Sequence, residues 1–75
     1  MADMFETVLE RSRGKTILIK MRYGRTIRGI LDGFDQYVNL YMKDSQDVSD
    51  PMNVVDLGDI MLRGHNIVMI NPPPE

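Results

Sequence analysis

The stretch Gly29-Ile30-Leu31-Asp32-Gly33-Phe34-Asp35-Gln36-Tyr37-Val38-Asn39 sets how the chain folds. It reads as a long strand carrying two glycines, then a tight turn, then the start of another strand. Glycine inside a strand marks a sharp bend or a close approach of a second backbone. Gly29 and Gly33 therefore let the strand curl, as a small barrel requires. Phe34 gives the bent sheet an apolar anchor. Asp35-Gln36 is the turn, because aspartate bonds its own backbone two residues on. Tyr37 and Asn39 come next at alternate positions, which on a strand project to the same side. An aromatic ring and a carboxamide beside a turn can stack on a nucleobase and read its edge.

The sequence on either side has the same two-residue rhythm. Ile17, Ile19 and Met21 share one face of a strand over Lys15 to Met21. Arg22-Tyr23-Gly24-Arg25 is a hairpin turn in which Gly24 supplies the positive φ. Ile27 and Leu31 fall in register with both glycines in the bent strand from Arg25 to Phe34. Val38, Leu40 and Met42 continue the core pattern in a third strand, opposite Asn39, Tyr41 and Lys43. Residues 44–51 are polar and read as an exposed loop. Met52 to Leu62 is a fourth strand that bends at Gly58, and Asn66 to Ile70 is a short fifth. At the start, Asp3 and Glu6 form a capping box, and Met4, Phe5, Val8 and Leu9 share one helical face. Arg11 and Arg13 favour the helix C-terminus and Gly14 stops it. The pattern predicts a mainly β protein: a short N-terminal α-helix over 3–12, then a five-stranded, strongly bent antiparallel barrel. Periodicity alone leaves an SH3-like and an oligonucleotide-binding barrel both open.

The 75 residues make one domain, small enough to be marginal alone. There is no cysteine, so neither a disulfide nor a thiolate zinc site supports it. No apolar run approaches a membrane span and no secretory pattern is present, so the expectation is a cytoplasmic protein. The support expected instead is further copies of the chain, because open strand edges invite pairing between subunits. The formal net charge is −2, against the usual basic balance of a nucleic-acid binder. Its distribution is uneven: every charged residue from Arg11 to Arg28 is basic, and the balance turns acidic from Asp32 onward.

Catalysis finds little support. Nucleophilic hydrolysis needs a nucleophile, a base and an orienting acid in contact, and the chain has one histidine, His65. Asp44, Asp47 and Asp50 superficially suggest a calcium loop but lack its central glycine and closing glutamate. The expectation is a protein that is not an enzyme and holds neither metal nor cofactor.

A second stretch answers the first: Met61-Leu62-Arg63-Gly64-His65-Asn66-Ile67-Val68-Met69-Ile70, a strand end, a turn and a strand. Together, in this order and with a short acidic loop between, the two stretches resemble the paired signature motifs of the Sm and Sm-like (LSm) protein family. The resemblance divides the chain into the helix, a first motif at 15–44, a variable loop at 45–51, a second motif at 52–70 and a proline-rich tail at 71–75. It selects the SH3-like barrel of the Sm fold and implies assembly into a homo-oligomeric ring, seven copies favoured over six. Val54-Val55 with Leu57, and Ile67 to Ile70, would be the pairing edges. It also implies binding of single-stranded U-rich RNA, as an RNA chaperone or ribonucleoprotein core. In the family, the residues at the places of Tyr37 and Arg63 sandwich a uracil. The one at Asn39 hydrogen-bonds its edge, the one at Asp35 orients that asparagine, and Gly64 permits the turn. Tyr37 stands where many archaeal relatives carry histidine, and His65 where many carry aspartate, which places His65 beside the pocket. The chain is most similar to the archaeal Sm-like proteins. The alternative reading is a structural assembly subunit that serves protein partners and binds little RNA.

Overall fold

The structure, a computed structural model, describes residues 4–72. Asp3, the expected helix cap, and residues 73–75 of the expected tail lie outside the described residues, as do the side chains of Met4 and Phe5. Helix α1 spans Met4–Ser12, followed by β1 (Thr16–Met21), β2 (Thr26–Phe34), β3 (Leu40–Asp47), β4 (Val55–Leu62) and β5 (Ile67–Asn71). The strands form one antiparallel sheet in the order β4-β3-β2-β1-β5.

The sheet has to roll up. Laid flat, five strands would separate β4 from β5 by about 19 Å. Yet Leu62 of β4 is buried in one cluster with Ile17 and Ile19 of β1, Ile27 and Leu31 of β2, and Leu40 and Met42 of β3. Ile67 and Ile70 of β5 pack on the same cluster. α1 adds Leu9 to it, and the end of the helix is fixed by one local bond and one to β2. The buried Ser12 hydroxyl donates to the Val8 carbonyl at 2.7 Å, and Gly14, at φ 75, donates its N–H to Leu31 O at 2.7 Å. The helix therefore stops where it is tied to β2.

The glycines of β2 act where they were expected to. The β2–β3 register shifts between Arg28 and Ile30 and again between Leu31 and Gly33. Gly29 is also a close contact: a Cβ there would lie 2.7 Å from Ser45 Oγ and 3.2 Å from Ser45 Cα. Gly58, at φ 69, sits at a register shift between β3 and β4 and is the bend point of β4. In the β1–β2 turn Tyr23 (φ 65) shares the left-handed conformation with Gly24 (φ 76), although only the glycine was expected to adopt it.

The boundary of the exposed loop needs correction. β3 runs on to Asp47, and β4 begins at Val55 rather than Met52, so the exposed loop occupies 48–54 instead of 44–51. Ser45 is polar but fills the space left by Gly29, and Arg28 donates to Gln46 beside it, so the strand continues through residues whose composition suggests a loop. Asp47 and Asp50 are used within the turn: Asp47 Oδ1 accepts the Ser49 N–H at 2.9 Å and Asp50 Oδ1 the Met52 N–H at 2.9 Å.

β4 and β5 are the two edges, and Val55, Leu57, Met61, Val68 and Met69 stand exposed on them.

Gly29→Ala is expected to destabilise the protein by about 1–3 kcal/mol through overpacking against β3. Ser45→Ala in the same chain should recover part of that loss, because Ser45 Oγ is the nearest atom and is buried without a hydrogen-bond partner among the described residues. Urea unfolding midpoints of the two variants and the parent test this; superposable curves for Gly29→Ala and the parent would show that the strands have room to separate.

Candidate nucleic-acid interface

Asp35 opens the turn after β2, and its carboxylate organises the residues between β2 and β3. Oδ1 accepts the backbone N–H of Tyr37 at 2.9 Å and of Asn39 at 3.1 Å. Oδ2 accepts the Asn39 carboxamide N–H at 3.1 Å and the Tyr41 hydroxyl at 3.1 Å. An ionised carboxylate has about four acceptor positions, so these donors fill it. Loss of water around the carboxyl acts to raise its pKa. The hydrogen bonds from Asn39, Tyr37 and Tyr41 outweigh that effect and hold it below the ordinary value. In return, the bond to Asp35 and its negative charge push the Tyr41 phenol above its ordinary value, so it remains a donor.

The far side of the Asn39 carboxamide is equally defined. Its Oδ1 accepts the Gly64 N–H at 2.9 Å. A carboxylate only accepts and a backbone N–H only donates, so the amide has one chemically sensible orientation. One amide N–H and one oxygen lone pair remain available. Gly64 itself lies against the turn: a Cβ there would fall 2.2 Å from Tyr37 O and 2.9 Å from Val38 O. No side chain fits, and the expected close backbone approach is thus to residues 37–38.

The backbone N–H groups of Tyr37 and Asn39 meet on Asp35 Oδ1, but not by strand alternation. β3 starts only at Leu40, and Val38 between them has φ 60. A β-branched residue rarely adopts that conformation, and holding it costs about 1–3 kcal/mol. The Val38 N–H donates to Asp35 O at 3.0 Å, so the Asp35 turn sets the positions of Tyr37 and Asn39. The Tyr37 side chain is 70% exposed.

Arg63 precedes a short 3-10 turn, Gly64–Asn66, and is exposed, as is His65. Neither side chain has a hydrogen-bond or ion-pair partner among the described residues. The structure thus gathers Asp35, Tyr37, Asn39 and Gly64 in direct contact and sets Arg63 and His65 on either side of Gly64. It also adds Tyr41, which the alternation of β3 places on the outward face with Lys43, but whose bond to Asp35 is visible only in three dimensions. Elsewhere, Arg13 pairs with Glu10 at 3.6 Å and lies 5.4 Å from the centre of the Phe34 ring, while Arg25 pairs with Asp47 at 3.9 Å. Part of the basic run before Asp32 is therefore engaged within the fold.

An exposed ring, an oriented donor–acceptor pair and an unpaired guanidinium are suited to holding a planar polar group. Among the described residues, no three His, Asp or Glu side chains converge as metal ligands, and no helix is long and apolar enough to cross a membrane.

Residues 7–72 match the LSM domain. The chain belongs to the LSM family. Its LSM domain resembles the P. aerophilum SmAP1 heptamer subunit, with 37% identity over all of both chains and a TM-score of 0.88. It resembles a Pyrococcus abyssi Sm protein, solved in complex with a uridine heptamer, at 29% identity over 96% of this chain and 100% of that one, with a TM-score of 0.83. It is 30% identical over 57 residues to small nuclear ribonucleoprotein F of Schizosaccharomyces pombe, 76% of this chain and 73% of that protein. LSM membership makes the barrel the Sm kind and excludes the oligonucleotide-binding barrel that periodicity left open.

Because the folded-state pKa of Asp35 is lowered, its contribution to stability is fully present above the ordinary carboxylate pKa and is lost as pH falls through the lower, folded value. The stability gap between the parent protein and Asp35→Asn should therefore narrow on acidification through that window. Thermal unfolding of both proteins over a pH series tests this; a gap independent of pH would mean that Asp35 acts through shape alone.

Proposed function

We propose that this LSM protein assembles into a homo-oligomeric ring, seven-membered rather than six-membered, that binds single-stranded U-rich RNA as an RNA chaperone or ribonucleoprotein core and performs no chemical step. The observation that carries the reading is the orientation of the Asn39 carboxamide, fixed between Asp35 and Gly64.

Uracil presents an acceptor, O4, beside a donor, N3–H. Cytosine presents a donor, N4–H, beside an acceptor, N3. An amide with one free N–H and one free lone pair can pair with either edge, but in opposite orientations. With the amide unable to flip, a base held in one pose is read as uracil or as cytosine, not both. The Pyrococcus abyssi neighbour with its uridine heptamer favours uracil. In this reading Tyr37 stacks on one face of the base and Arg63 on the other, worth about 1–3 kcal/mol per base. Asp35, with all its acceptor positions filled, orients Asn39 and does not touch RNA. Gly64 brings the two turns together. His65 flanks the pocket and leaves Arg63 with no acidic residue in its turn.

The ring comes from the edges. β4 and β5 leave unpaired backbone groups and exposed apolar side chains at opposite ends of one sheet, so β4 of one copy can pair with β5 of the next. The SmAP1 neighbour is a heptamer. Repeating the pocket around an axis makes weak single-base sites avid along one strand, and it concentrates the Arg63 charges despite the acidic total.

Labelled oligouridine should bind more tightly than oligocytidine in fluorescence anisotropy at near-physiological salt, and Tyr37→Ala or Arg63→Ala should weaken oligouridine without changing ring size. Equal weak binding of both oligomers, fading with added salt, would reduce the interaction to charge attraction and leave a protein-binding scaffold as the better reading. Separately, Val68→Glu should convert the ring to smaller species in analytical ultracentrifugation; unchanged sedimentation would move the interface away from the β5 edge.

A further inference from the structure

The Asp35 carboxylate holds Asn39 in place, and the group that holds Asp35 has no assigned role. Three of the four donors to Asp35 come from its own turn: Tyr37 N–H, Asn39 N–H and the Asn39 carboxamide. The fourth, the Tyr41 hydroxyl, comes from β3. It is the one donor supplied by the body of the sheet, where Tyr41 is paired with Gly33 of β2 on one side and Met61 of β4 on the other.

We propose that Tyr41 is a positioning residue for base recognition: its hydroxyl fixes the Asp35 carboxylate, and through it the donor–acceptor polarity of the Asn39 amide. The inference rests on the reading of Asn39 as the base-reading group. Tyr41 need not contact RNA for it to hold. The geometry explains why a tyrosine on β3 matters to a loop that lies before it. Oδ2 bonds both Tyr41 and the Asn39 Nδ2, so the hydroxyl and the amide meet on one oxygen atom. If the hydroxyl is removed, Oδ2 keeps only the amide, and the carboxylate is held by its own turn alone, without the one donor that ties it to the sheet. The restraint on the nitrogen side of the amide is then looser, and the bond between its oxygen and the Gly64 N–H carries more of the opposition to a flip. A flipped amide presents the cytosine pattern.

Tyr41→Phe removes the hydroxyl and keeps the ring. Two measurements on the assembled protein separate positioning from general stability. The first is the affinity for oligouridine and oligocytidine. The second, in the RNA-free protein, is backbone hydrogen exchange at Gly64, whose N–H bonds the Asn39 amide, compared with Leu31, whose N–H bonds Lys15 O inside the fold. The expected result is an oligouridine-over-oligocytidine preference reduced by about 3- to 10-fold per site, the range of a single net hydrogen bond. Gly64 exchange should quicken while Leu31 exchange is unchanged. An unchanged preference, or unchanged Gly64 exchange, overturns the inference. Faster exchange at both sites also overturns it and makes Tyr41 a stabiliser of the sheet. A parent protein that does not distinguish uridine from cytidine instead removes the reading of Asn39 beneath it, a result recognisable before the variant is made.

Discussion

Everything at the candidate site hangs on one carboxylate with no acceptor position to spare. Asp35 gathers two backbone N–H groups, a carboxamide and a phenol, and in doing so forces a valine into a left-handed conformation beside it. The strain at Val38 is tolerable because the turn is over-determined. It is closed by the Asp35 bonds on one side and by the backbone of Gly64 on the other. In the proposed reading this rigidity serves recognition. An amide that could rotate would accept two bases where a fixed one accepts one.

The fold carries that turn on a sheet whose curvature is local in origin. Both register shifts of β2 fall at its glycines, and the deeper of the two, at Gly29, is where Ser45 of β3 closes in. The rolled sheet puts the end of β4, with Arg63 and Gly64 just beyond it, beside the turn after β2, although some twenty-five residues separate them in sequence. Two short segments remote in the chain thus make one surface, and the barrel is what joins them.

Much of this was legible because glycine and aspartate have few alternative uses in such settings. Gly29, Gly33 and Gly58 marked bends, and Asp35 marked a turn, each for a backbone reason that does not depend on the rest of the molecule. The resemblance of the two motifs then chose among barrels that periodicity could not separate. What stayed hidden was set by tertiary contact. Ser45 and Gln46 look like loop residues and form strand, because Gly29 makes room for one and Arg28 bonds the other. Val38 resists the left-handed region by intrinsic preference, so no local rule would place it there, and the alternation inferred for Tyr37 and Asn39 failed with it. Tyr41 sat on the correct face in the pattern, but its partner lies across the turn and could not be read from spacing.

The two open edges have a consequence for how much of the protein a cell can keep folded. In the proposed ring each copy is completed by its neighbours, so assembly contributes to the stability of every subunit and the folded fraction rises with the amount of chain present. A copy without neighbours exposes two unpaired strand edges lined with valine, leucine and methionine. It is the form that proteases and aggregation remove first. Dilution then acts as a denaturant, and unassembled surplus is cleared while complete rings persist, so the geometry of the sheet sets a threshold abundance below which the protein is not maintained.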